Sequence, residues 1–216
     1  VADASPEYNL WWLVAANSIV FTVFFFSFIQ PKSKTDWRAF GGMTAFIVAL
    51  FTEMYGFPLT VYLLSGYLGG TFPTLNLLTH DSGHLWQDLL GWNGDPHLNP
   101  IHLASNVIIA SGFIVLFLAW QRLFDAQARH QLATGGIYAR VRHPQYVGFI
   151  LIMLGFLVQW PTLPTLVMFP ILLVMYVRLA KREEQQMIAE FGEAYREYAR
   201  RVPAFIPRLI RVPAEP

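Results

Sequence analysis

The sequence predicts an all-α integral membrane protein of about five transmembrane helices. The N-terminus is expected outside and the C-terminus in the cytoplasm, with a short fourth/fifth helix hairpin and a C-terminal amphipathic cytoplasmic helix. Three observations predict this. Of 216 residues, 55% are hydrophobic and only 13% charged, against about 25% charged in soluble domains, and the mean hydropathy is +0.41. The charged residues avoid long stretches, three of which approach the roughly 20 residues that cross a hydrocarbon core as helix. The 15 Lys and Arg residues are confined to alternate connections, and their distribution orients a membrane protein.

The first span, residues 10–29, carries no charge and is followed by Lys32, Lys34 and Arg38. The second, residues 39–63, contains only Glu53. An ionisable group at that depth is costly unless paired or facing a polar cavity, so Glu53 either pairs within the bundle or lines a substrate route. The apolar run 57–78 is interrupted by Pro58, Gly66, Gly69, Gly70 and Pro73, which leaves room for a re-entrant piece. Residues 70–100 hold no Lys or Arg and belong outside. His80 and His84 stand at i,i+4 spacing there, near Asp81, Asp88, His97 and His102. Such spacing suits zinc, but these side chains are scattered and far from the cytoplasmic motif, and no metal is expected.

The third span, residues 101–120, leads to Arg122, Arg129, Arg140 and Arg142. The fourth and fifth, residues 146–160 and 163–180, are separated by Pro161-Thr162 as a tight hairpin. Arg178, Lys181, Arg182 and five further arginines sit at or after its end. Trp11, Trp12 and Trp160 fall at outer ends, and Trp37 and Trp120 at inner ends, as an aromatic belt requires. The chain therefore divides into residues 1–120, an N-terminal group of spans, and residues 121–216, where the chemistry-bearing residues gather.

Several function classes are excluded. Without cysteine there is no disulfide, thiolate nucleophile or thiolate zinc site. A net charge of +1 gives no reason to expect nucleic acid. Residues 1–9 have no basic region, so no signal peptide is expected there.

The informative stretch is Gly135-Gly136-Ile137-Tyr138-Ala139-Arg140-Val141-Arg142-His143-Pro144-Gln145-Tyr146-Val147-Gly148. Pro144 predicts a helix start, because proline suits the first turn and disfavours helix in the residue before it. The unpaired N–H groups of that start, flanked by Arg142 and His143, suit a carboxylate or phosphate. Beyond the hairpin, Lys181-Arg182-Glu183-Glu184 opens a segment in which Met187, Ile188, Phe191, Tyr195, Tyr198 and Val202 recur at helical spacing. Pro203 and Pro207 stop it.

The pattern Gly-x-Tyr-x-x-x-Arg-His-Pro-x-Tyr-x-Gly, a hairpin, Glu-Glu, then Phe-Gly-x-x-Tyr-x-x-Tyr-x-x-x-Val-Pro resembles the C-terminal signature of isoprenylcysteine carboxyl methyltransferases. Phospholipid methyltransferases share much of it. The resemblance covers residues 135–207. It implies a cofactor, S-adenosylmethionine, held by this half of the chain, and a lipophilic small molecule or lipid bearing a carboxylate, amine or thiol as acceptor. Carried to the matching positions, Tyr138, Arg142, His143, Pro144, Tyr146, Gly148, Glu184, Tyr195 and Tyr198 are candidates for the cofactor pocket, with Glu183 beside them. Arg142 suits the cofactor carboxylate, Glu183 or Glu184 its amine or ribose, and a tyrosine face the sulfonium. His143, Arg142 and Glu184 are the candidate catalytic residues; an amine or thiol acceptor needs a base, His143 or a glutamate.

Blander readings stand beside these. Arg142 and His143 could only anchor a helix end to lipid phosphates, Glu183 and Glu184 could only complement a helix dipole, and Tyr195 and Tyr198 could only pack. An NADPH-dependent membrane reductase of the sterol reductase type, and a non-catalytic membrane accessory protein, are the alternative functions. A soluble methyltransferase is a weak alternative, because no Gly-x-Gly-x-x-Gly turn sits between a strand and a helix.

Overall fold

The computed structural model describes residues 34–55, 59–64 and 96–208, with isolated positions at 12, 15, 16, 19, 67, 70, 71, 86 and 90–92. The expected first span and His80, Asp81, His84 and Asp88 lie outside the described residues. In chain order the helices are α1 (Lys34–Tyr55), α2 (Leu59–Leu63), α3 (Pro100–Ala128), α4 (Pro144–Gln159), α5 (Leu163–Phe191) and α6 (Glu193–Arg201). Single 3-10 turns occupy Pro96–Leu98 and Gly136–Ala139. The described residues contain no strand.

Over the expected second span the described residues form α1 and α2, and residues 56–58 between them lie outside the described residues. Glu53 joins them. Its buried carboxylate accepts the Thr60 N–H at 3.0 Å, satisfying a donor that the first turn of α2 leaves without a helical partner. The Thr60 hydroxyl in turn accepts the Leu163 N–H at 2.8 Å. Glu53 therefore pairs within the bundle and ties α1 to α2 and α5.

Asn99 caps α3 by accepting the Ile101 N–H at 2.9 Å, with Pro100 in the first turn. Helices α3 and α5 each have 29 residues, or about 44 Å at 1.5 Å per residue. That exceeds a hydrocarbon core of about 30 Å. Their most apolar windows have mean hydropathies of 2.1 and 1.9, yet only 17% and 28% of those residues are buried. A core helix of a soluble protein would hide such a surface. Here Val107 and Ile114 on α3 and Val167 and Ile171 on α5 lie open, a surface that suits lipid rather than water. The protein is a membrane protein. Among the described residues only these two helices are long and apolar enough to cross alone; α4, at 16 residues, is shorter.

Helices α3 and α4 run antiparallel with their backbones in contact. A Cβ on Gly112 would lie 2.9 Å from the Gly148 carbonyl oxygen, and one on Gly155 3.1 Å from that of Ser105. Small residues at such a crossing let helices approach without a side chain between them. Trp160 closes α4, and Thr162 opens α5 with a reciprocal cap to Thr165. The core above the site joins Met43 and Phe46 of α1, Leu116 and Trp120 of α3, Phe149 of α4 and Tyr176 of α5.

The expected cytoplasmic helix beginning at Lys181 takes a different form. Residues 181–191 continue α5 without a break, and the separate helix is α6, after Gly192. Leaving the apolar layer at Lys181 changes the polarity of the side chains but supplies nothing that stops a helix. Gly192 does, with φ +57, a conformation that costs glycine little and other residues more.

Candidate functional site

The site is built where the loop between α3 and α4 meets the chain after α6. Arg142 N–H donates to the Pro203 carbonyl at 2.9 Å, and His143 N–H to that of Ala204 at 3.1 Å. The Tyr198 hydroxyl donates to the Tyr138 carbonyl at 2.7 Å. The amides ahead of Pro144 are thus taken by the returning C-terminal segment, and Pro203 can accept there because its carbonyl, unlike its nitrogen, remains available.

Around this seam the charged side chains form one chain of contacts. Arg142 Nε and Nη2 donate to Glu184 Oε1 at 3.0 and 2.7 Å, while Nη1 donates to the carbonyls of Ala199 and Val202 at 2.8 and 2.6 Å. His143 lies between two carboxylates, Nε2 at 3.1 Å from Glu184 Oε1 and Nδ1 at 3.3 Å from Glu183 Oε2. Glu183 also accepts from the Tyr146 hydroxyl and, at 3.4 Å, from Gln145 Nε2. The rings of Phe205 and Tyr146 flank the imidazole at centroid distances of 5.6 and 5.9 Å.

Charge states follow from this arrangement. Burial alone pushes His143 down, but hydrogen bonds and charge from Glu183 and Glu184 outweigh it and hold His143 above its usual 6.5. Both carboxylates thus favour the imidazolium, which can donate to each of them. Glu184, beyond the apolar part of α5, is held down at about 2, first by its bond with His143 and then by Arg142, against the opposing effect of burial. Tyr195 is pushed up to about 12, chiefly by burial and next by the Glu184 charge.

Beside this cluster opens a cavity of about 350 Å³, within the range of small-molecule sites. Arg142, His143, Glu183 and three tyrosines, Tyr138, Tyr195 and Tyr198, form one part of its wall. The α3 side comprises Leu123, Ala126 and Gln127, with His130 just past the helix end, and the α5 wall continues from Glu183 through Met187 and Glu190, the helical residues in each set recurring at the 3–4 residue spacing of a single face.

Comparison with known proteins places this region. Residues 101–194 match the phospholipid methyltransferase family. The segment that matches this methyltransferase family runs from the start of α3 into α6 and contains most of the cavity. The chain is 37% identical over 79 residues to the protein-S-isoprenylcysteine O-methyltransferase of Schizosaccharomyces pombe, covering 36% of this chain and 34% of that protein. It is 38% identical over 78 residues to methanethiol S-methyltransferase 2 of Bradyrhizobium diazoefficiens, covering 34% and 27%. With the cobalt-zinc-cadmium resistance protein CzcN of Cupriavidus metallidurans it shares 33% over 112 residues, covering 49% and 51%. The chain thus spans about half or less of the length of these relatives. No solved structure matches it significantly.

The family-like segment treats the candidate residues unequally. Tyr138, Arg142, His143, Glu183, Tyr195 and Tyr198 line the cavity. Glu184 stands behind them, bound to Arg142 and His143. Tyr146 is buried beneath Glu183, and Pro144 forms the buried first turn of α4. Gly148 lies at the α3–α4 contact, where a Cβ would meet Leu116 Cγ at 2.6 Å. His130, Gln127 and Glu190 line the cavity without having been singled out in the sequence. The signal for His130 is faint, a polar residue in phase with Leu123 just past the third span. Among the described residues no cluster of metal-ligating side chains occurs.

Proposed function

We propose that the protein is a multi-pass membrane methyltransferase that takes its methyl group from S-adenosylmethionine bound in this cavity and delivers it to a lipophilic acceptor. The observation that carries this reading is the Arg142–Glu184–His143–Glu183 cluster beside a cavity within the family-like segment. The donor set suits the cofactor: a carboxylate and a guanidinium for its amino-acid end, tyrosine faces for its cation, and apolar walls for the rest. When bound, S-adenosylmethionine supplies a sulfonium-activated methyl group, so the chain's residues need only align the acceptor and exclude water.

Of the adjacent pair, Glu183 is the one on the cavity wall, with Glu190 further along α5, and it is the better candidate for the cofactor's ammonium or ribose. Glu184 is already held by Arg142 and His143. A cofactor carboxylate at Arg142 would have to share its guanidinium with Glu184 and two carbonyls, so Arg142 acts first by positioning Glu184 and the C-terminal segment. His143, with both ring nitrogens on carboxylates, fixes the two glutamates in place. One relative is named for O-methylation and another for S-methylation. A carboxylate acceptor releases no proton to the protein, whereas a thiol does, and Glu183 and Glu190 are the carboxylates within reach of the cavity.

The one-sided Lys and Arg distribution supports an outside N-terminus and a cytoplasmic cavity. Calorimetric titration of the protein in nanodiscs tests the cofactor assignment: S-adenosylmethionine should bind and NADPH should not. Binding of NADPH alone would support the reductase, and binding of neither the accessory role. Impermeant thiol labelling of single cysteines tests orientation, with position 137 expected to be protected in intact cells.

A further inference from the structure

We propose that a second site, on the face of α3 and of the 136–140 turn opposite the cavity, binds the phosphate headgroup of an anionic phospholipid from the surrounding membrane. It rests on the reading of α3 as lipid-embedded and is independent of the methyl-transfer assignment. A groove of about 920 Å³ runs between Leu118, Arg122, Phe124 and Asp125 on α3 and Ile137 and Arg140 on the turn. On a helix of 3.6 residues per turn, Leu118, Gln121 and Asp125 of the groove lie nearly opposite Leu123, Ala126 and Gln127, which line the cavity.

Two features distinguish the groove from a scatter of surface charge. First, Arg122 and Arg140 present two guanidiniums against the single carboxylate of Asp125, and no ion pair joins either to an acid among the described residues. Second, Arg122 is seated. A Cβ on Gly136 would come within 2.9 Å of Arg122 Nε and 3.4 Å of its Cγ, so the side chain lies along bare backbone at a residue with φ +62. Gly136 thereby places one guanidinium on the same turn that carries Arg140.

The apolar surroundings favour a lipid over a soluble anion. Leu103, Val107, Ile114 and Leu118 are exposed and recur at 3–4 residue spacing, or two turns, on the α3 face that continues to Arg122. Arg122 stands about 6 Å beyond Leu118 along the helix. An acyl chain along that stripe therefore puts its phosphate at the two arginines, where planar guanidiniums bind phosphate oxygens in pairs. A free phosphate would gain nothing from the stripe, and the excess of positive charge favours an anionic over a zwitterionic lipid.

Native mass spectrometry of the purified full chain tests this with phosphatidylglycerol, phosphatidylcholine or inorganic phosphate added. Retention of phosphatidylglycerol over phosphatidylcholine is expected, and Arg122→Gln with Arg140→Gln should lower it by about tenfold, the scale of a lost charge-assisted contact. The same charge removed elsewhere, by Arg196→Gln with Arg200→Gln on α6, should leave it unchanged. Equal retention of the two lipids, or an equal loss in both double variants, would overturn the site. Displacement of phosphatidylglycerol by millimolar inorganic phosphate would show a free-anion site and overturn the lipid assignment. Unchanged melting temperatures for both double variants establish that folding is not what is being read.

Discussion

Arg142 Nη2 and Glu184 Oε1 lie 2.7 Å apart although 42 residues separate them. The intervening hairpin goes out and comes back, bringing the end of α5 alongside the loop before α4. The same guanidinium holds the Ala199 and Val202 carbonyls, so one side chain fastens the C-terminal segment to both. Arg142→Lys keeps the charge but loses the planar fork. It should destabilise the protein by about 1.5–3 kcal/mol, the range for hydrogen bonds to charged groups, measured by thermal unfolding in detergent. Glu184→Gln, which keeps an acceptor oxygen, should cost less than Glu184→Ala. No change in stability for Arg142→Lys would mean the fork carries no weight.

The His143–Glu184 pair predicts a pH window. Glu184 has its folded value lowered from 4.5 to about 2, so its contribution is complete above the unfolded value and is lost as pH falls toward 2. His143 has its folded value raised above 6.5. Its contribution is complete below 6.5 and fades as pH rises through the folded value. The wild-type advantage over His143→Gln should therefore be greatest between about pH 5 and 6.5 and shrink toward higher pH. Melting temperatures of both proteins across that range test it, and an advantage growing with pH would show that His143 is held neutral.

Close approach of α3 and α4 predicts intolerance at a position without polar chemistry. Gly112→Ala would put a methyl 2.9 Å from the Gly148 carbonyl and 3.0 Å from the Ile152 nitrogen. Backbone cannot swing aside as a side-chain tip can, so the helices must separate, at about 1–3 kcal/mol for overpacking. Gly41→Ala, with nothing within 4 Å of its Cβ, is the control and should melt as wild type does.

The extent to which sequence revealed these features depends on range. The starts of α4 at Pro144 and α5 after Pro161-Thr162 were legible, because proline and a capping threonine act within a few residues. The matches around Arg142, His143 and Glu183-Glu184 were legible as spacing. What the spacing could not reveal was their division, with Glu183 on the cavity and Glu184 behind it, since adjacent helix residues differ by about 100° in direction and only the packing of α4 fixes which faces inward. The continuous α5 was hidden by reading a polarity change as a boundary. His130 was hidden because a lone histidine after a span has no local pattern.

His130 supplies the last prediction, because its backbone and its side chain call for opposite outcomes. It ends α3 in the left-handed region, φ 49, with its N–H on the Gln127 carbonyl at 3.2 Å and the Gln131 N–H on that of Ala126 at 2.9 Å. Glycine is the usual residue at this position of a helix end. Relief of left-handed strain is worth roughly 1–2 kcal/mol, and the added freedom of the unfolded chain offsets roughly 0.4–1 of it. His130→Gly should therefore melt no lower than wild type. The imidazole, however, lines the cavity opposite the α5 wall that carries Glu183 and Glu190, and its removal should weaken S-adenosylmethionine binding by about tenfold if it donates one hydrogen bond to the bound cofactor. Stability held with affinity reduced would separate a binding role from a capping one. Unchanged affinity in His130→Gly, with wild type binding normally, would show that His130 serves the turn alone, whereas absence of binding by wild type would remove the cofactor assignment itself.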